Sequence, residues 1–298
     1  YLAGLFAIAW WGDRTKLYPD SARWRALIYS FALGVYGSSW TFYGAAGTAK
    51  QDGLLYIAGY LGPLLLLAFG IRFYEKLVKL AKQQNATSIS DFLSARFGRS
   101  RRIAVLVTFI ALTAIIPYIA LQLTAISMSI DVLTGKVPGV TPHWYSDTMF
   151  GVALMLALFA ILFGTRGVNT TEHHPGMVLA IAAESVFKLL ALVVVSVFAL
   201  TTLDSPAPLV TALRHIPEQF DQPSMFVAQA LTALFAFFCL PRQFHIGVVE
   251  CADIADVKRA RWWFGGYLVL LSIVVIPIVA ASLPLDTTGR STPTSDAL

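Results

Sequence analysis

Long apolar stretches alternate along the chain with short polar ones, most of them basic. The apolar stretches cover 1–11, 26–47, 54–80, 103–133, 148–166, 176–203, 225–247 and 262–283. About 20 residues at 1.5 Å each cross the roughly 30 Å hydrocarbon core of a bilayer, so every stretch but the first has the length of a transmembrane helix. Residues 1–11 make about half a span. No basic segment precedes them and no small-residue cleavage site follows, which argues for a span cut short and against a signal peptide. Two polar stretches carry helical patterns of their own. In Asn85–Arg102, Ile89, Phe92, Leu93 and Phe97 form one apolar stripe among basic residues, which predicts an interfacial helix capped by Ser88 or Ser90. Ala252–Trp263 predicts a similar interfacial helix ahead of the last span.

One stretch is unlike the others. Tyr29–Ala49, YSFALGVYGSSWTFYGAAGTA, is apolar enough to cross, yet it has Gly34, Gly37, Ser38, Ser39, Thr41, Gly44 and Gly47 where a plain span would carry Leu and Val. This pattern predicts a broken helix. A break in lipid leaves backbone N–H and C=O groups unpaired unless protein, water or a ligand satisfies them, so interrupted spans point to a transporter's midplane site. The same small residues would equally let a neighbouring helix approach closely. A second interruption is expected in Phe237–Glu250, FFCLPRQFHIGVVE, where Pro241 removes an N–H and disfavours helix at Leu240. Arg242 and His245 then belong either to that break or to the inner end of the span.

Composition and charge fix the setting. Apolar residues make up 57% of the 298 residues, charged ones 13%, and the mean hydropathy is +0.68. Soluble proteins carry about 25% charged residues, so this is an integral membrane protein. The net charge of +5 does not indicate nucleic acid, because the basic residues lie between spans. Assigning alternate loops to the inside collects Arg14, Lys16, Arg23 and Arg25, the basic residues from Arg72 to Arg102, Arg166, and Arg242, Lys258, Arg259 and Arg261. The other side keeps only Lys50, Lys136, Arg214 and Arg290. The positive-inside rule therefore places the first residue outside, which in a bacterial inner membrane is the periplasm. Trp10, Trp11, Trp24, Trp262 and Trp263 mark the inner interface, and Trp144 and Tyr145 the outer one. Cys239 and Cys251 support neither a disulfide framework nor a metal motif.

Glu184 and Lys188 stand four residues apart inside the span 176–203. Either charge alone is costly at that depth, so the pair faces the bundle, as part of an ion or solute path or as a structural lock. His173 and His174 are adjacent in a loop and read as solvated rather than as a metal site. Hydroxyls at Ser38, Ser39 and Thr41, with aromatics at Trp40, Tyr43 and Tyr118, suit a zwitterionic amino acid whose carboxylate takes free N–H groups at the break. Sugars or carboxylates would fit nearly as well.

SSWTFYGAAG, followed one helix later by TSISDFLSARFG and then by a long span with Tyr118 and Gln122, resembles the sodium:solute symporter family. Its members carry an S-G-W-type break in the first core helix and a T-x-x-D-[FY]-x-x-x-R-[FY] motif after the second, which TSISDFLSARFG resembles and which Asp91–Phe97 match from the Asp onward. The resemblance implies an all-α polytopic bundle of the LeuT type, an inverted repeat of five and five helices. On that pattern residues 1–298 are one membrane domain, a fragment of a longer chain. Residues 1–11 precede the core, 26–203 form the first repeat (core helices 1–5), and 225–283 begin the second (core helices 6 and 7). The implied solute-binding residues are Ser38, Ser39, Trp40, Thr41, Tyr43, Tyr118, Gln122, Phe238 and Gln243. The implied coupling residues are Tyr36, Glu184 and Lys188. Sodium/proline-type relatives carry an Asp where this chain has Tyr36, and a core-helix-5 lysine replaces the ion in some sodium-independent transporters of similar fold. Coupling to Na⁺ or H⁺ is thus open, with Lys188 and Glu184 as a fixed-charge or proton-linked substitute for sodium.

CLPRQFH and GVNTTEHHPGMVLAIAAESVFKL are similar, more narrowly, to the transporter-like N-terminal domains of bacterial sensor histidine kinases. That likeness implies a cytoplasmic kinase region of the same chain and a response regulator as partners, besides a small-molecule solute and the bilayer. It also implies that the module senses, transports, or does both. A stand-alone transporter coupled to sodium or protons is the alternative. No kinase or other catalytic motif lies in these residues, so no residue is assigned a catalytic role and no cofactor is implied.

Overall fold

The computed structural model of the chain describes residues 2–15, 21–135, 148–159, 175–203, 205–218 and 220–287. The expectations for Trp144, Tyr145, Arg166, His173 and His174 lie outside them, as do those for the side chains of Ser39, Trp40 and Tyr43. The described residues fold as helices and connecting turns, with no strand among them. The protein is an all-α, multi-pass membrane protein.

Three helices are long and apolar enough to cross a membrane unaided: α7 (Arg101–Thr134), α9 (Pro175–Thr201) and α13 (Ile254–Thr287). The apolar surface of α7, including Leu106, Phe109, Ile110 and Ile116, is exposed, as a lipid-facing helix requires. Ahead of these come α1 (Leu2–Thr15), α2 (Ala22–Ala32), α3 (Ser39–Gln51), α4 (Leu55–Phe69), α5 (Ile71–Gln83) and α6 (Ile89–Arg96). Between them lie α8 (Thr148–Phe159), α10 (Ala207–Glu218), α11 (Pro223–Cys239) and α12 (Pro241–Phe244), the last continued by a π-turn over His245–Val249.

Two expected breaks are present, and two other elements differ from the expectation. The stretch 26–47 is not one helix but α2 and α3, separated by a 3₁₀ turn over Leu33–Tyr36 and extended residues at Gly37 and Ser38. The stretch 54–80 bends by 82° at Gly70. Beyond that point Arg72, Lys76 and Lys79 are exposed while Tyr74, Val78 and Ala81 are buried, so α5 is an amphipathic helix with a basic outer face. The stretch 225–247 stops at Cys239, because Leu240 turns extended ahead of Pro241. The segment before the last span does not form a separate interfacial helix. Val257, Ala260, Phe264, Leu268, Leu271 and Val275 bury one unbroken stripe, so it continues into α13.

The motif helix behaves as its sequence indicates. Ser88 caps α6, its hydroxyl accepting from the Asp91 N–H at 3.2 Å, while the Asp91 carboxylate accepts from the Thr87 N–H at 3.1 Å. Helix α13 forms the centre of the bundle, packed against α2, α3, α4, α5, α9 and α10. Helix α4 packs most extensively on α11. A Cβ on Gly62 would stand 2.4 Å from the Ala230 carbonyl oxygen and the Leu234 nitrogen, so only glycine permits this approach of two backbones.

Candidate solute site at two facing helix breaks

The first break leaves carbonyls at the end of α2 and along its 3₁₀ turn without regular α-helical partners. Three side chains from distant helices take them. Gln243 Nε2 donates to the Leu33 carbonyl at 3.3 Å, Arg242 Nη2 to Tyr36 at 3.4 Å, and Lys188 Nζ to Gly37 at 3.4 Å. These are long bonds, but two of the donors are cations at the negative end of a helix, where the backbone dipole favours them. Lys188 is also held by Glu184 at 2.6 Å, one turn back on α9. Close packing supports the arrangement, since a Cβ on Gly34 would meet the Ser185 hydroxyl at 2.6 Å.

The other side of the break is capped locally. Ser38 N–H donates to Thr41 Oγ1 at 3.0 Å, and the two hydroxyls lie 3.3 Å apart, a reciprocal cap on the start of α3. The second break delivers the partners. Leu240 is extended, Pro241 opens α12 as a first helical residue, and Arg242 and Gln243 are thereby turned toward residues 33–37. Tyr29 OH, from α2, returns the contact by donating to the Gly247 carbonyl at 2.5 Å.

Beside the breaks lies a cavity of about 320 Å³ bounded by α3, α4, α7 and α11. Among the described residues its polar lining is Tyr36, Ser38, Thr41, Thr48, Tyr56, Tyr60, Tyr118, Gln229 and Arg242, with no carboxylate among them. Tyrosine hydroxyls brace the wall, Tyr36 on the Gly59 carbonyl at 2.6 Å and Tyr60 on that of Thr41 at 3.4 Å. The Arg242 guanidinium lies 4.6 Å above the Tyr118 ring and makes no ion pair among the described residues. Such a volume, with aromatic walls and a few directed polar groups, suits a small solute.

Of the residues expected at the site, the cavity brings together Ser38, Thr41 and Tyr118, and adds Tyr36 to its wall. Gln122, one turn along α7 from Tyr118, does not line it. Phe238 packs instead with Phe73 and Phe235, at 5.5 and 5.8 Å between ring centres. Gln243 is fully buried and serves the Leu33 carbonyl. Glu184 and Lys188 lie at the break and not in the cavity wall. Sequence reasoning missed Tyr56 and Tyr60, whose four-residue spacing puts two hydroxyl-tipped rings on one face of α4, and Gln229, a lone amide in an apolar run. It took Arg242 for a marker of the break and not for a lining group.

These observations define a class: a multi-pass helical membrane protein with a solute-sized cavity where two interrupted helices face each other. The chain is similar, at 25% identity over 285 residues, to a protein of Bacillus subtilis (strain 168) described as the uncharacterized symporter YodF. The alignment takes in 90% of this chain and 53% of that protein, so the chain spans about half the length of the curated relative it matches. No family model matches the chain, and no solved structure does.

Proposed function

We propose that the chain is the solute-binding bundle of a symporter-type transporter, lying in the bacterial inner membrane with its first residue on the periplasmic side. Residues 26–203 correspond on this reading to the first half of an inverted repeat, and 225–283 to the start of the second. The observation that carries the proposal is the cavity at the facing breaks, with Arg242 as its one charged lining group among the described residues. A guanidinium in an aromatic wall pairs with a carboxylate through parallel N–H bonds, so a solute bearing one, an amino acid in the first instance, satisfies the site best.

Lys188 and Arg242 occupy carbonyls of the kind that hold a cation in unwound transporter helices. This supports a bundle in which fixed charge replaces sodium, with protons as the coupling ion. The likeness of CLPRQFH to sensor-kinase input domains supports the finer proposal that solute occupancy biases a cytoplasmic kinase region and, through it, a response regulator.

Uptake of radiolabelled amino acids by the full-length protein in a transport-deficient strain tests the reading. Uptake is expected to follow pH, to ignore sodium, and to fall at least tenfold in Arg242→Gln, since a charge-assisted pair contributes about 1.5–3 kcal/mol. Uptake that rises with a sodium gradient and ignores pH in the wild type, and still does so in Lys188→Ala, would sink the coupling proposal. Solute-dependent phosphorylation without uptake would leave a receptor built on the same site.

A further inference from the structure

A second concavity lies at the opposite end of α2 from the break, where α2 and α13 begin side by side on the basic face. Its volume is about 640 Å³, and its lining is Arg23, Trp24, Ala26, Leu27, Arg259, Trp262 and Trp263. The two helix starts are pinned together. Arg25 Nε binds the buried Asp256 carboxylate at 2.6 Å and Arg25 Nη2 binds Asp253 at 2.8 Å. Arg259 Nη1 donates to the Ala22 carbonyl at 3.1 Å. Arg23, Arg25, Arg259 and Arg261 thus stand against two aspartates, and Arg23 makes no ion pair among the described residues.

The remainder of the lining is apolar and outward. Trp24, Trp262 and Trp263 are 61%, 73% and 56% exposed, too much indole for water and appropriate to the headgroup level of a bilayer. The length of α13 agrees with that level. Its 34 residues reach about 51 Å, well beyond the roughly 30 Å of hydrocarbon, so its first turns project into the interface. Excess guanidinium charge above, and Ala26, Leu27 and indole rings below, match a phosphate diester with its acyl chains.

We propose that this groove is a binding site for an anionic phospholipid, whose phosphate sits between Arg23 and Arg259 and whose glycerol and upper chains lie on Trp24, Trp262 and Trp263. The site is independent of the solute cavity and of any transport activity. It also braces the two helix starts, because its phosphate draws on the same Arg259 that holds Ala22.

The test is native mass spectrometry of the purified full-length protein in detergent doped with equal amounts of phosphatidylglycerol and phosphatidylcholine of identical chains. The expected result is retention of phosphatidylglycerol with roughly tenfold or greater preference. Arg23→Gln and Arg23→Gln/Arg259→Gln abolish that preference, while Lys76→Gln/Lys79→Gln on α5 keeps it. Arg23 makes no ion pair in the described structure, so its variant reads the lipid and not the fold. Equal retention of the two lipids by the wild type, a preference untouched by Arg23→Gln, or full displacement by inorganic phosphate would each overturn the proposal.

Discussion

A lysine in an apolar span must have its charge answered, and Lys188 is answered twice, by the Glu184 carboxylate at 2.6 Å and by the Gly37 carbonyl at 3.4 Å. Removing it strands both groups. Lys188→Met should therefore destabilise the protein in detergent by about 2.5–3.5 kcal/mol, the scale of an unmatched charge inside a membrane. Adding Glu184→Gln should recover part of that loss, and thermal unfolding of the single and double variants checks the sign. Cys251 gives a second residue-scale prediction. It lies in the turn before α13, fully buried, and desolvation by burial pushes its thiol up to about 12. Maleimide at pH 7.5 should leave it unlabelled in the folded protein with Cys239→Ser, and label it after unfolding. Its folded value lies above the ordinary one of 9.0, so its contribution to stability is whole below pH 9 and is lost as pH rises toward 12.

At the scale of elements, α4 separates packing from binding within one turn. Gly62 touches the α11 backbone, whereas a Cβ on Gly59 meets nothing within 4 Å and Gly59 lines the cavity. Gly62→Val should lower stability by about 1–3 kcal/mol through overpacking. Gly59→Ala should leave the unfolding temperature unchanged and weaken solute binding; binding isotherms and melting curves on the same samples distinguish the two. The breaks were legible in the sequence because Gly37, Ser38 and Pro241 are poor helix formers wherever they stand. The bend at Gly70 was not, since Phe69 and Ile71 keep hydropathy high across it and only the charge stripe of α5 betrays the turn. The role of Gln243 was also hidden: its type suits a ligand or a cap equally, and its partner lies 210 residues away.

At the scale of the whole molecule, α2 packs with α9 and α13, while α3 packs with α13, α4 and α7. The Arg25 pairs with Asp253 and Asp256 fasten the α2 group on the basic face. Arg25→Gln should speed amide exchange across residues 22–32 while residues 39–51 keep their protection, measured by hydrogen–deuterium exchange in detergent. Uniform loosening of both segments would show that α2 and α3 do not move separately. The membrane class was plain from composition, but the centrality of α13 was not, because burial within lipid-soluble sequence leaves no trace in hydropathy. The carbonyls at residues 33–37 are held from α9 and α12, and Tyr29 reaches Gly247 in return. A gene divided near residue 204 would consequently yield two polypeptides unable to insert stably apart, each requiring the other's co-expression, so that fission at that point would survive in a genome only as an obligate pair.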